Sequence, residues 1–306
     1  MGEIKRGQTD VDNIYRGQDA VDNVYRGNTL IWSATSYDAD AQAFFTAVEG
    51  GGDTLTTTEK DGTNTLVLAM KSSGVWDKLV AFYPFVGGTE TSTKWNLKDP
   101  RDLDAAFRIT WIGTSNASWN SKGYTQNGTD GTGASTNWNM STYATDMEDN
   151  LAMGFYIYDK GTLSAGSGDN YDMGGYSSAA DENMLIGGGF RSNANNTYIN
   201  FGANSFETRG LSGDQAESFW IGDRSSTSQT ALYKDGAQWD FTNTGTHTLL
   251  NHPMGLGCSL RNTNQPFESA ARSYSMFFIS EGLGSSLIST FNSDVSTWLT
   301  ALSKTA

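Results

Sequence analysis

The first thirty-three residues repeat every ten positions. From Ile4 they read IKRGQTDVDN, IYRGQDAVDN and VYRGNTLIWS, with the Gly of each Arg-Gly-Gln/Asn step at Gly7, Gly17 and Gly27. Glycine supplies the positive φ of a tight turn, and the VDNIYR and VDNVYR segments between turns read as short strands. Alternation places Val11 and Tyr15 on one face and Ile14 on the other, so neither face of the expected three-stranded ribbon is cleanly apolar. Such a ribbon is marginal alone and needs a partner surface to bury its apolar residues. Ile4, Val11, Ile14, Tyr15, Val21, Val24, Tyr25, Ile31 and Trp32 are therefore the expected attachment or oligomerisation residues. The bland alternative is an extra meander on the main domain's own sheet.

From Asp38 the period becomes helical. Ala41, Phe44, Phe45 and Val48 share one face of ADAQAFFTAVE, Asp38 is placed to cap it, and Gly50 to Gly52 stop it. Thr56 and Glu59 form a capping box for a second helix striped by Leu66, Val67 and Met70, weakened at its start by Gly62. After Gly74, VWDKLVAFY reads as another helical turn or two before Pro84. Residues 36–83 are thus expected to form a small helical unit.

Beyond Trp95 the apolar runs are short and rich in β-favouring residues, at 105–113, 151–159, 183–188, 197–202, 217–222, 230–241, 254–260 and 272–280. Asp235-Gly236 between two alternating runs is a type I′ hairpin signal, and Leu287, Ile288, Phe291, Val295, Trp298 and Leu299 align on a closing helix over 285–302. The pattern predicts a mainly β chain: an N-terminal repeat (1–33), a helical unit (34–94), a two-sheet jelly-roll sandwich (95–283) and a C-terminal helix (284–306).

Composition narrows the function. A formal charge of −14 repels nucleic acid and anionic membrane alike. No stretch approaches the ~20 apolar residues of a membrane span, and the N-terminus lacks the apolar core of a signal peptide, so synthesis and folding in the cytoplasm are expected. The one cysteine, Cys258, sits in an apolar run and reads as a buried bystander.

Three stretches carry a resemblance. VWDKLVAFYPFVGGTETSTKWNLKDPRDLDAAFRITW (75–111), ALYKDGAQW and the ending FFISEGLGSSLISTFNSDVSTWLTAL, behind IYxGxxxVxxVYxG repeats, resemble virion proteins of tailed bacteriophages. These are fibre, spike and capsid-appendage proteins with a concanavalin A-like (LamG-type) sandwich. The family often reads IGDGLTDTE before the closing helix; here ISEGLGSSL puts Glu281 at the acidic position and leaves Ser285 or Ser286 as the expected cap. The resemblance implies a non-enzymatic structural protein of the virion, made in host cytoplasm and needing no cofactor. Its implied partners are other virion proteins of capsid or tail, copies of itself, and host-surface glycans. Ribbons with mixed faces can wrap a threefold axis, so a trimer is the expected oligomer.

Residues with chemistry are few. Asp146 and Glu148 are the nearest approach to the carboxylate pair of a glycosidase, in a polar context that reads as a solvated cluster. A glycan-degrading enzyme on the same sandwich remains the rival reading, with a pure receptor-binding adhesin as a third. His247 and His252 lie five apart, which suits neither a helical nor a strand zinc site. Asp130, Asp169 and Asp172, in Asn/Asp/Gly-rich loops, are weak calcium candidates against simple turn chemistry. Segment 114–143 sets Trp119, Tyr124, Trp138 and Tyr143 among Asn, Ser and Thr, and these are the candidate glycan-contact residues, with Tyr171 and Tyr176 as possible additions.

Overall fold

The computed structural model describes residues 5–6, 9–10, 14–16, 19–21, 23–26, 29–33, 36–101, 108–114, 117–128, 131–143, 147, 149–161, 171–177, 182–190, 193–201, 207–210, 217–226, 229–243, 251, 253–261, 265–267, 269 and 271–305. They fall into two compact units, Met1–Asp38 and Ala39–Ala306.

In the first unit β1 (Lys5–Arg6) pairs with β2 (Thr9–Asp10), β3 (Ile14–Arg16) with β4 (Asp19–Val21), and β5 (Asn23–Arg26) with β6 (Thr29–Ser33). These are three separate two-stranded sheets, not the three-stranded ribbon expected from the repeat. The register explains the difference. Arg6 pairs with Thr9, Arg16 with Asp19 and Arg26 with Thr29, so two residues link each pair. A two-residue link closes a hairpin at the least loop entropy, and each repeat folds back on itself before it can reach its neighbour. Ile14 then sits opposite Val21, Tyr15 opposite Ala20, Val24 opposite Trp32 and Tyr25 opposite Leu30, with Ile31 between the last two partners. Ile4 and Val11 lie outside the described residues.

The second unit opens with α1 (Ala39–Gly50), α2 (Thr57–Ser73) and the single turn α3 (Val75–Lys78). α1 begins directly after Asp38. The Thr56/Glu59 capping box is formed in full, and Gly74, at φ 82°, closes α2 by donating its N–H to Lys71 O. The segment expected to continue as helix does not. Leu79–Tyr83 is strand β7, its Phe82 opposite Phe278, while Asn96 Oδ1 accepts the Phe82 N–H at 2.9 Å. An unbroken apolar run fits a buried strand as well as a short helix, and pairing with a long neighbour decides for strand.

Two antiparallel sheets follow. Sheet one runs β19 (Ala237–Asn243), β18 (Gln229–Lys234), β17 (Ser218–Ser226), β12 (Leu151–Asp159), β23 (Ser273–Ser280), β10 (Gly123–Gln126), β9 (Ala117–Asn120), with β7 also on β23. Sheet two runs β16 (Glu207–Gly210), β15 (Asn193–Phe201), β14 (Glu182–Phe190), β13 (Met173–Ser177), β20 (Pro253–Leu256), β11 (Gly133–Asn139), β8 (Thr110–Ile112). β21 (Ser259–Arg261) joins it parallel to β13 and pairs with β22 (Pro266–Phe267). Asp235 and Gly236 take φ of 51° and 78° at the β18–β19 turn, as the type I′ signal required.

The inner faces meet in one core. Leu151, Met153, Phe155 and Ile157 alternate along β12 into it, facing Ile186, Ile199, Met254 and Leu256 of sheet two. The outer face of sheet one is also covered. Phe82, Phe219 and Phe278 project outward onto α5 (Gly284–Ala301), where Phe291 lies 6.2, 5.5 and 5.0 Å from them between ring centroids. α5 packs on α2, and α2 on α1, so the helices form a third layer. With both faces covered, β23 is buried at every position, which is why SYSMFFIS shows no polar alternation.

α5 starts without a serine cap. Its N-cap is Leu283, and the orphan N–H groups of Leu283 and Gly284 are accepted by Asp223 of β17 at 2.7 and 3.2 Å. Burial raises the Asp223 carboxyl above the usual range, against the lowering effect of those two backbone bonds. Cys258 is fully buried and desolvation pushes its thiol up to about 12, the behaviour of an inert core residue.

Candidate glycan-contact edge

Segment 114–143, for all its polar composition, is built mainly of strands β9, β10 and β11. This changes what its aromatic residues can reach. Trp138 is 0% exposed and Tyr124 1%, both within the inter-sheet core, so neither can meet a sugar. Alternation aims them inward: their strands bring them opposite neighbours whose side chains share the core face. Tyr143 ends the short helix α4 (Met140–Tyr143), and its side chain lies outside the described residues. Trp119 is half-buried, packed against the core but open on one side.

Trp119 has a companion that the sequence did not single out. Trp111, half-buried in β8, sits 5.3 Å from it between centroids with the ring planes at 79°. Topology brings them together, because β9 ends sheet one and β8 ends sheet two. The two indoles close the gap between the sheets at this edge. Tyr124, opposite Trp119 in the β9–β10 register, lies beneath both at 4.4 Å from Trp111 and 5.7 Å from Trp119, with Phe85 5.8 Å from Trp111. Gly123 makes this approach possible. At φ 145° it lies where a Cβ would stand 2.0 Å from Tyr274 O, so only glycine lets β10 come this close to β23.

The rings are held from several directions. Trp111 Nε1 donates to Glu90 O at 3.1 Å, while Trp119 Nε1 is buried with no hydrogen-bond partner, leaving Trp119 placed by packing. Loop 84–94 forms the shoulder: Glu59 Oε1 accepts the Gly87 N–H, Asp53 Oδ1 accepts from Thr89 Oγ1, and a Cβ on Gly88 would meet the backbone of Asn120 and Ser121. Lys304, fully buried just past α5, donates from Nζ to Phe85 O at 2.9 Å and Ser121 O at 2.7 Å, tying the chain's end to both sides of the aromatic edge. Desolvation lowers its pKa to about 7, offset in part by Glu59. The rim is polar. Asn137 Nδ2 donates to Thr110 Oγ1 and Arg108 O, and burial followed by the nearby Arg108 lowers the Lys94 pKa.

The other expected site residues separate. Asp172 is fully buried, and its carboxylate accepts from Arg272 Nη1 at 2.8 Å and Tyr274 OH at 2.6 Å, which joins the start of β13 in sheet two to β23 in sheet one. Asp172 is thus a bridge between the two sheets, with a protein donor on each carboxylate oxygen. The partner it needed lies 100 residues away. Tyr171 is buried, and Tyr176 is half-buried under the Arg261 guanidinium at 6.0 Å. Asp130, Asp169, Asp146, Glu148, His247 and His252 lie outside the described residues. Among the described residues no group of three or more His, Cys, Asp or Glu is arranged to hold a metal ion.

No protein-family model matches this chain, and no curated protein sequence matches it. Solved structures do resemble it in fold. A Trypanosoma rangeli sialidase in complex with sialic acid superposes with a TM-score of 0.50 and 13% identity, over 77% of this chain and 39% of that one. The receptor binding domain of botulinum neurotoxin C/D mosaic serotype gives 0.49 and 9%, over 71% and 51%. The chain spans about two-fifths of the sialidase and half of the toxin domain. At these identities the sialidase likeness shows a shared β-sandwich.

Proposed function

We propose that this chain is a non-enzymatic structural protein of a tailed-phage particle whose sandwich touches host-surface glycans at the Trp111–Trp119 edge. The observation that carries the glycan reading is the geometry of those two indoles. Half-buried and packed edge to face at 5.3 Å, they offer indole surface on which the apolar face of a sugar can stack. The Thr110 hydroxyl, the Asn137 amide that donates to it and the Glu90 backbone carbonyl that accepts from Trp111 Nε1 are the polar groups beside it. That a sandwich of this fold occurs in a sialidase solved with sialic acid agrees with the reading without carrying it.

The particle role rests on the N-terminal hairpins and the phage-like stretches in the sequence. Each two-stranded sheet is too small to be stable alone. Their burial comes from other virion proteins or from copies of this chain, a trimer being the expected assembly. Light scattering of the full chain should return an oligomer, and cryo-microscopy of intact particles should locate it with its first residues against another virion protein. A monomer that particles do not retain would remove the structural role. Release of reducing sugar from host polysaccharide by the purified chain would replace the non-enzymatic reading.

A further inference from the structure

Backbone strain gathers round the aromatic edge. Among the described residues four that are not glycine take a positive φ, and one of them, Asp235, does so in a type I′ turn that requires it. The other three are Phe85 at 43°, Asn137 at 55° and Ser303 at 53°. Phe85 puts its ring 5.8 Å from Trp111, Asn137 holds the hydroxyl of Thr110 beside Trp111 on β8, and Ser303 turns the chain past α5 into Lys304. A bulky residue is strained in this region and stays there only where its surroundings hold it, and such strain collects where a fold has to fix something in place.

Lys304 is what holds Phe85. Its buried Nζ donates to Phe85 O at 2.9 Å and to Ser121 O at 2.7 Å, and these carbonyls belong to the two segments that fix the indoles. Phe85 lies in loop 84–94, whose Glu90 O accepts the Trp111 Nε1–H. Ser121 follows Trp119 by two residues in the β9–β10 turn, which Asn120 Oδ1 stiffens by accepting the Lys122 and Gly123 N–H groups. Trp119 Nε1–H has no hydrogen-bond partner, so its ring follows the turn and the packing around it. A methionine would fill the same space without the cost of burying an ammonium, so stability alone does not explain a lysine here.

We propose that Lys304 is a positioning residue for the aromatic edge: its amino group clamps loop 84–94 to the β9–β10 turn, and the proton it carries sets where Trp111 and Trp119 stand. The charged form donates stronger, charge-assisted bonds to both carbonyls, and the neutral amine weaker ones. Of the groups around it, Glu59 of α2 favours the charged form, Lys122 of the turn donates to Thr305 O, the Trp298 ring of α5 lies 5.9 Å away, and β23 offers the Ser275 hydroxyl, which donates to Lys304 O. Burial outweighs Glu59 and brings the titration to about 7, so the clamp is tight below neutral pH and slack above it. The consequence for glycan binding rests on the glycan reading of that edge; the consequence for the two indoles does not.

Fluorine NMR of the full chain labelled with 5-fluorotryptophan, with Trp111→Phe and Trp119→Phe to assign the signals, reads the edge without a ligand. Between about pH 6 and pH 8.5 the Trp111 and Trp119 resonances should step with a midpoint near 7, while that of Trp220, on β17 away from the edge, stays fixed. Lys304→Met should remove the step, and Glu59→Gln should move its midpoint to lower pH. A bacterial glycan array probed at the two ends of that range should give the parent at least a threefold stronger signal at the acid end, and Lys304→Met the same signal at both. Resonances that do not step, or that step alike in the parent and Lys304→Met, would overturn the positioning role; should Lys304→Met fail to fold, a midpoint that Glu59→Gln leaves unmoved would do the same. Stepping resonances with no array signal at either pH would remove the glycan reading and leave Lys304 its role, whereas an array signal equal at both would overturn the link from clamp to binding.

Discussion

β23 and β9 belong to the same sheet and both carry aromatic residues, but their surroundings differ. β23 lies between the second sheet on one side and α5 on the other, and every position along it is buried. β9 ends the sheet, alternates half-buried with exposed positions, and keeps Trp119 open on one side. Residue type does not separate the two, since Phe278 and Trp119 are both large aromatics. Cover does. An aromatic ring roofed by a helix is committed to stability, whereas one left at the junction of two sheet edges remains available to a ligand.

Substitution should separate the two regions cleanly. Phe278→Ala, which removes the ring against which Phe219 and Phe291 pack, should cost about 3–5 kcal/mol in denaturant unfolding. A cost below about 2 kcal/mol would mean that α5 does not roof the sheet as described. Asp172→Ala should cost a similar ~3–5 kcal/mol, because it strands the buried Arg272 guanidinium between the sheets. Chelator, by contrast, should leave the parent's melting temperature unmoved at this residue's account; a chelator-induced fall that Asp172→Ala abolishes would restore the calcium reading.

Lys304 links the two regions and has a pH signature. Its folded pKa of about 7 lies below the ordinary 10.5, so between those values the unfolded chain holds the proton and the folded chain does not. Stability therefore rises with pH across that window and is flat on either side of it. The difference in unfolding free energy between parent and Lys304→Met should grow by up to about 1.4 kcal/mol per pH unit from pH 7 to pH 10. A constant difference would show that the ammonium stays charged between Phe85 O and Ser121 O.

Much of this was legible from the chain alone, and the misreadings share a cause. β12 spans Leu151–Asp159, as its apolar run indicates, and the Thr56/Glu59 box and the Asp235-Gly236 hairpin formed where local chemistry placed them. Each is decided by residues within a few positions of one another. LVAFY became a strand because β23, about 200 residues later, pairs with it. Tyr124 and Trp138 went inside because each faces the opposite sheet, and the cap of α5 comes from Asp223, 60 residues before Leu283. Trp111 went unremarked because β8 and β9 become neighbours only when both sheets have formed, and no local pattern encodes that.

The smallest effect on stability should accompany the largest effect on binding. Trp119→Ala, at a half-buried edge position, should cost less than about 2 kcal/mol. The decisive measurement is a glycan array probed with the full chain, with Trp119→Ala and with Trp111→Ala. The account predicts that the parent retains at least one bacterial-surface glycan and that either substitution removes at least nine-tenths of that signal from a folded protein. A parent that binds no glycan, or variants that bind it undiminished, would contradict the assignment of the edge.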